Sequence, residues 1–369
     1  MITDMKYHVR FGHWAILVAT FVAMTATAVQ GAGAAAPRAD TTAGRGIVEL
    51  LTGGSSRAAV RVADDLAALF DDGTTRRLLP VIGRGGAQDL KDLVFVRGID
   101  MAILQADVVD SARRQRDLPD GENSFTYIAR LHDEEFHLLA RADIHSVNDL
   151  VRKKVNLGLS GSGSAATAGR LFELLGTSVE AVNERQEVAL LKLRRGEIAA
   201  MAFVSRKPDP LFDASGENAG LHFIPIPLNP AIIDEYLPTT LTAADYPGLI
   251  KGEAPVDTIA VGTLLAVANM LPESERHRNV TAFVEAFFTR FQMLLEPGHD
   301  SGWREINPAA DLPGWRRFPY AADWLNRKKP VGEQDTGAVG AAFSRVVGSP
   351  PASSPKADPP VPPASTKRR

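Results

Sequence analysis

Two stretches of this chain follow one pattern of apolar and polar positions. In IVELLTGGSSRAAVRVADDLAALF, Ile47, Glu49 and Leu51 have strand spacing, Gly53-Gly54-Ser55-Ser56 make a turn, and Val62, Leu66, Leu69 and Phe70 recur at helical spacing. In VNLGLSGSGSAATAGRLFELLG, Val155, Leu157 and Leu159 alternate and Ser160 to Ser164 form the turn. Ala168, Leu171, Phe172 and Leu175 then define a helical face, and Gly176 stands where a helix takes a left-handed stop. Downstream of each comes a helix end, an Arg-Gly pair and a wholly apolar strand: DLVFVRGIDMAILQAD (Asp92 to Asp107) and ALLKLRRGEIAAMAFVSRK (Ala189 to Lys207). Order, turn chemistry and the Arg-Gly pair agree, which predicts an α/β fold of two similar lobes, each a mostly parallel sheet flanked by helices.

In open parallel sheets ligands sit off the carboxyl ends of the strands. The pattern places four such ends around one gap: Thr52 to Arg57, Gln105 to Asp107, Ser160 to Ala165 and Ser205 to Lys207. The apolar run Thr258 to Asn269 reads as a buried strand returning the chain to the first lobe. HRNVTAFVEAFFTRFQMLLE carries Val280, Phe283, Val284, Phe287, Phe288, Phe291 and Leu295 on one helical stripe, a core face. Lobe 1 is accordingly expected over 46–137 plus 256–330 and lobe 2 over 138–255. Tyr236 and Tyr246 fit the cleft wall and the core edge equally well.

The ends differ from this middle. Lys6 and Arg10 precede 16 uncharged residues from Trp14 to Val29, then small residues, the order of a secretory signal over residues 1–36 and so of a periplasmic protein. The apolar run is shorter than the roughly 20 residues of a spanning helix. Residues 335–369 are dense in proline and poor in large apolar groups, a composition that favours disorder. A short apolar segment, Val339 to Val347, has the pattern of a docking element at the start of that stretch.

Composition narrows the function classes. The chain has 369 residues, enough for about two domains, with 45% hydrophobic and 23% charged residues. A net charge of −3 argues against nucleic acid as a partner, because phosphates demand a basic face. With no cysteine, disulfides, thiolate metal sites and cysteine nucleophiles are excluded.

Within the Ser-Gly turn, glycine admits close approach of backbone amides and the helix N-terminus adds unpaired N–H groups, a combination suited to a carboxylate or small oxyanion. The same serines also fit a plain helix cap. A phosphate-binding loop is excluded because Ala165 and Ala166 stand where Lys is needed. A nucleophile elbow is nearly met by Gly158-Leu159-Ser160-Gly161-Ser162, but it ends in Ser. A serine hydrolase using Ser160 or Ser162 would draw its base from His132, His137 or His145. The glycine spacing also misses the dinucleotide fingerprint. The run HDEEFH (His132 to His137) lacks metal-ligand spacing and reads as ordinary boundary residues, so neither metal nor cofactor is expected.

The run YIARLHDEEFHLLARADIHSVNDLVRKKVNLGLSGSGSAATAGRLFELLG resembles the TAXI-type solute-binding proteins of TRAP transporters. The likeness extends from about Thr52 to about Trp324 and takes in GGSS, IDMAILQAD, RRGEIAAMAF, YPGL and TIAVGTLLAVAN. The resemblance implies a two-lobed periplasmic-binding-protein fold with a hinged cleft, and a monomer without enzymatic activity is expected. Such a receptor captures a small organic acid or amino acid for a TRAP-type permease. It also implies a ligand set of Thr52, Gly54, Ser55, Gln105, Asp107, Ser160, Ser162, Gly163, Ser164 and Ser205; Ser56 extends the first turn, and Arg57 and Lys207 are candidate countercharges. One departure stands out. The family's first turn ordinarily continues with a glycine and a Tyr pair, where this chain has Arg57, Ala58 and Ala59, so a different ligand or an arginine contact is implied. A sensor that hands its ligand to a signalling partner is the remaining alternative. The resemblance reaches remote relatives that make thiamine precursors, whose catalytic His and Cys set has no counterpart here.

Overall fold

A computed structural model of the protein describes residues 46–54, 57–119, 123–212, 220–312 and 314–327, Arg57 by its backbone alone. The expected signal sequence, the proline-rich tail and the Val339–Val347 segment lie outside the described residues.

Both repeated units form as the periodicity predicts. β1 (Ile47–Leu51) leads to α1 (Arg57–Phe70), β2 (Arg77–Val81), α2 (Gly86–Phe95), β3 (Met101–Gln105) and α3 (Ala106–Gln115). After the long strand β4 (Phe125–Arg141) come β5 (Lys154–Asn156), α4 (Gly163–Leu174), β6 (Glu180–Val182), α5 (Gln186–Arg194) and β7 (Ala200–Ser205). β8 (Leu221–Phe223), α6 (Pro230–Ile233), β9 (Leu237–Leu241), β10 (Val256–Ala268), α7 (Glu275–Arg290) and α8 (Pro319–Arg327) follow. β5 ends at Asn156, short of the alternating Leu157 and Leu159. The left-handed Gly158 breaks the extended backbone there, and the α4 face then buries Ala168, Leu171 and Phe172 as its spacing requires. Gly176 takes the left-handed conformation at the end of the helix.

The strands form one mixed sheet in the order β2-β1-β3-β10-β4-β7-β5-β6, with β8 paired to β4 and β9 to β10. Its two wings, β2-β1-β3 and β7-β5-β6, are internally parallel. They are joined by β4 and β10, two long antiparallel strands that pair with each other, β10 bonding β3 of the first wing and β4 bonding β7 of the second. β4 pairs with β10 from Phe125 to Glu135 and with β7 from Glu135 to Ala140. β10 pairs with β3 through Thr263 to Val267 and with β9 through Val256 to Ala260. The strand expected at Thr258 to Asn269 forms as β10 and pairs with β3 of the first wing on one side and with β4 on the other. At the crossing the β4–β10 register slips, so that Leu131 and His132 oppose Thr263 alone, and the Thr263 hydroxyl donates to the His132 carbonyl at 2.6 Å. Such a bulge re-aims the side chains beside it.

Each wing carries apolar packing on both faces. On the first, Leu265 and Val267 face the α1–α7 layer while Leu264 and Ala266 face α2 and α3. The α7 stripe is core, with Phe283 against Phe287 at 6.1 Å, Phe287 against Phe291 at 5.5 Å and Phe288 stacked on Trp324 at 4.8 Å. Such pairs add about 0.5–1.5 kcal/mol each beyond area burial. On the second wing, Phe136 and Leu138 pack toward α4, and Leu139 toward α5. Tyr236 and Tyr246 belong to these two cores. His132 and His137 prove not to be boundary residues. β4 runs through the middle of the sheet, so they are 5% and 0% exposed, and burial pushes both down to about 4 and keeps them neutral. His137 Nε2 bonds Tyr246 Oη at 2.7 Å inside an aromatic cluster with Phe212 and Phe223.

Candidate functional site

The carboxyl ends of all six parallel strands converge on one cavity of about 290 Å³. From the first wing, Gly53 and Gly54 follow β1, Arg84 follows β2 and Gln105 ends β3. From the second, Leu159 and Ser162 to Ser164 follow β5, Glu184 to Glu187 follow β6, and Phe203, Val204 and Asp209 to Leu211 come from β7 and its exit. Glu134, on the crossing strand β4, completes the wall between the wings. The helices α4 and α5 begin at this cavity, so their free N–H groups bring partial positive charge to one side of it.

The α4 turn is built for close approach. Ser162 caps the helix, its Oγ accepting from the Ala165 amide at 3.3 Å, and the first main-chain helical bond runs from Ala166 to Ser162. The Gly163 and Ser164 amides precede that bond and need other acceptors. Ser164 Oγ accepts from the Val204 amide at 3.0 Å, which pins α4 to the end of β7. Opposite, Gly86 lies so near this turn that a Cβ there would fall 2.4 Å from Gly163 N and 2.5 Å from Ser162 C, and a Cβ on Gly163 would meet Gln105 Oε1 at 1.5 Å. The wings meet backbone to backbone at these glycines. Asp107 adds a tie: Thr167 Oγ1 of α4 donates to its carboxylate at 2.6 Å, and burial pushes Asp107 up to about 6.

On the first wing Gln105 is 8% exposed; its Nε2 donates to Glu134 Oε2 at 2.6 Å, and its Oε1 has no hydrogen-bond partner. Glu134 is pushed up to about 7 by burial; the Gln105 bond opposes that shift, while the negative charges of Asp107, Glu135 and Asp209 add to it. Behind it lies the neutral His132, with Nε2 3.9 Å from Glu134 Oε1. A folded state that raises a carboxyl pKa is favoured below the unfolded value and loses that advantage as pH rises through the folded one. Glu134→Gln, which keeps an acceptor for Gln105, is therefore expected to gain about 2–3 kcal/mol over the parent protein between pH 4.5 and 7.5, and little more above that. Urea denaturation of both proteins at pH 5 and pH 8 reads the difference; equal gaps at the two pH values would refute it.

Of the residues singled out from the sequence, Gly54, Gln105, Ser162, Gly163 and Ser164 line the cavity together. Ser55, Ser56 and the Arg57 side chain lie outside the described residues, between Gly54 and the lining residue Ala59. The others stand back from the wall. Thr52 is fully buried, its hydroxyl donating to the Gly54 carbonyl at 2.6 Å, so it shapes the turn. Asp107 ties α3 to α4, Ser160 is exposed at the turn, and Ser205 is 2% exposed beneath the wall. Lys207 is half-buried away from the cavity lining, its Nζ donating to the Thr240 carbonyl at 2.5 Å and lying 3.7 Å from Glu135. The Ser162 hydroxyl serves as a cap acceptor, His132 lies beside Glu134, His137 is bonded to Tyr246, and His145 stacks on His222.

Sequence reasoning passed over Arg84, Glu134, Glu184 to Glu187 and Asp209. The signal for Glu134 was the cluster of charges inside an otherwise apolar strand. For the Glu184 to Glu187 group it was the repeat itself, since that strand-to-helix turn is equivalent to the first two. Asp89 was also missed. Fully buried under the β1 and β2 turns, it accepts from the Arg84 amide at 2.8 Å, and burial pushes it up to about 6.

A mixed α/β sheet whose parallel strands all end at one small cavity, met there by two helix N-termini, is a ligand-holding architecture. The chain belongs to the NMT1-like family, whose model matches residues 50–296. Solved structures with a similar course include a TctC solute binding protein from Polaromonas without ligand, 16% identical over 82% of this chain and 95% of that one, TM-score 0.41. MatC from Rhodopseudomonas palustris with bound malate is 16% identical over 65% and 84%, TM-score 0.43. A substrate binding protein of an ABC uptake transporter from Streptococcus pneumoniae with bound histidine is 14% identical over 68% and 90%, TM-score 0.43. Among the described residues no helix is long and apolar enough to cross a membrane.

Proposed function

We propose that this protein is a periplasmic receptor of the TAXI type. It captures a small organic acid, an amino acid or a dicarboxylate, and delivers it to a TRAP-type membrane permease without transforming it. The observation that carries this reading is the placement of Gly163 and Ser164, whose amides precede the first helical bond of α4, on one wall of a cavity whose other wall, at Gly53, Gly54 and Gln105, belongs to the other wing of the sheet. A carboxylate held by these donors touches both wings and favours their approach, and the differential affinity for the closed arrangement drives closure. The proposed lobes are the wings with their helices, and the proposed hinge is the β4–β10 crossing.

The test is a thermal-shift panel of amino acids and dicarboxylic acids. At a concentration about 100 times Kd, a binder adds about 2.7 kcal/mol, which for a domain of this size raises Tm by about 5 °C. A melting temperature unmoved by every compound at millimolar concentration would remove the capture reading.

A further inference from the structure

The wings touch through helices as well as through the sheet. The first turns of α4 are a run of small residues, Gly163-Ser164-Ala165-Ala166-Thr167-Ala168-Gly169, and α4 lies against α2 and α3 of the other wing. Ala166 packs on the core beneath α2 and α3, and Gly163 meets Gly86 main chain to main chain. Thr167, fully buried, donates to the Asp107 carboxylate of α3 at 2.6 Å. Asp107 reaches far enough across that its charge acts on Tyr236 of the second core. Two turns along α3, Arg114 stands 3.7 Å from Glu235, a carboxylate that Arg170 of α4 also holds at 2.9 Å. A further tie between the wings, Arg206 with Asp300, lies at the β4–β10 crossing, where both charges act on His132.

This interface differs in kind from the cores it joins. Each core interlocks large side chains, whereas this face of α4 offers glycines, methyl groups and one buried hydroxyl. Contact between small side chains buries little apolar area, so the polar bonds carry a large share of what holds the two surfaces together. Nothing interlocked has to be pulled apart when they separate. A rotation about the crossing moves atoms in proportion to their distance from it. The Arg206–Asp300 pair is therefore carried round with little displacement, while α4 swings off α2 and α3 and breaks the Thr167–Asp107 bond. We infer that this bond, with the Glu235–Arg114 pair beside it, is a latch by which the protein's own contacts hold the wings closed, and that it sets the ratio of closed to open arrangements from outside the cavity wall. Neither Thr167 nor Asp107 lines the cavity. The inference rests on the capture reading for its purpose, because a solute that binds closed wings has its apparent affinity scaled by the fraction already closed.

The chain has no cysteine, so spin labels on two introduced cysteines report a single distance. Ile82→Cys and Val188→Cys put them at exposed positions on the two lips, close in sequence to the lining residues Arg84 and Glu187. Double electron–electron resonance on the full chain, with no solute added, is expected to give one short distance in this background. Thr167→Val, which keeps the shape and removes the donor, combined with Glu235→Gln, is expected to move the mean outward by about 5 Å or more as the closed-to-open ratio falls by about 10-fold or more. Thr167→Ser, which keeps the hydroxyl, is expected to leave the distance where it was. Circular dichroism melts establish that each variant is folded. An unchanged distance in the Thr167→Val, Glu235→Gln protein would mean that the sheet alone fixes the wings, and the latch is overturned. An equal outward shift in Thr167→Ser would assign the effect to the lost methyl and overturn it as well. So would a long distance in the labelled parent. Each of these failures leaves capture standing, since capture is read from the thermal-shift panel and the distances are read without solute.

Discussion

Gly86→Ala is expected to weaken solute binding by about 100-fold while leaving the protein folded. Gly86 sits at φ +61, a region where a Cβ costs about 1–2 kcal/mol on its own account. The larger effect is steric. The added carbon would lie 2.4 Å from Gly163 N, 2.5 Å from Ser162 C and 2.8 Å from Gly161 O, all main-chain atoms that cannot rotate aside. The start of α2 and the start of α4 must then separate by about 1 Å, carrying the Gly163 and Ser164 amides away from Gln105. Misplacement on that scale is enough to remove most of the benefit of a pre-set donor geometry. Gly73→Ala is the matched control: φ is +76 there and no heavy atom lies within 4 Å of the added Cβ, so it pays the backbone cost without the clash. The pair is measured by titration with whichever compound raises the melting temperature. Gly86→Ala binding within about 3-fold of the parent would show that the closed contact between wings is dispensable.

The largest loss of stability is expected at Asp65, far from the cavity. This α1 carboxylate is 5% exposed and gathers three donors from a segment more than 200 residues away. Trp303 Nε1 and the Asp300 amide donate to Oδ2 at 2.8 and 2.7 Å, and His299 Nδ1 lies 3.0 Å from Oδ1. It fastens the 3-10 turn Ser301–Glu305 to the α1–α7 layer, and Trp303 fills that core against Phe291 at 6.2 Å. Asp65→Ala strands two buried N–H groups at about 1–3 kcal/mol each and opens space beside the indole, so a loss of about 3–5 kcal/mol is expected in urea denaturation. Asp65→Asn, which keeps one acceptor oxygen, should lose about half as much. A loss below about 1 kcal/mol for the alanine variant would mean that solvent replaces these bonds freely. Arg206, which pairs with Asp300 at 2.6 Å, links the exit of β7 to the same turn, so the region anchors both wings.

Much of this architecture was legible in the chain. The elements with strong local periodicity formed where their spacing predicts: α1, α4 and α7 with their stripes, and β3 and β7 as unbroken apolar runs. Buried helix faces and wholly buried strands impose residue patterns that survive without knowledge of neighbours. The turns after β1 and β5, the Gln at the end of β3 and the cap at Ser162 were legible for a related reason, since close approach and helix initiation restrict residue type within a few positions.

What the sequence determined by itself was therefore the inventory of elements, the doubled plan and the donor side of the cavity. Only the tertiary structure decided the rest. The two parallel halves became one sheet because β10, bonded to the first wing, pairs with β4, bonded to the second, a matter of partners more than 100 residues apart. Glu134 became the cavity's acceptor because the bulge opposite Thr263 sets where its side chain points, whereas its neighbour Glu135 takes Lys207 as a partner on another face. Thr52, Asp107, Ser205 and Lys207 looked equivalent to the lining residues from their positions at strand ends. Burial drew Thr52 and Ser205 into the scaffold, and hydrogen bonds to Thr167 and to the Thr240 carbonyl drew Asp107 and Lys207 there. Local spacing restricts backbone conformation, but which polar atoms remain unpaired, and so free to meet a ligand, is settled only when every long-range partner is in place.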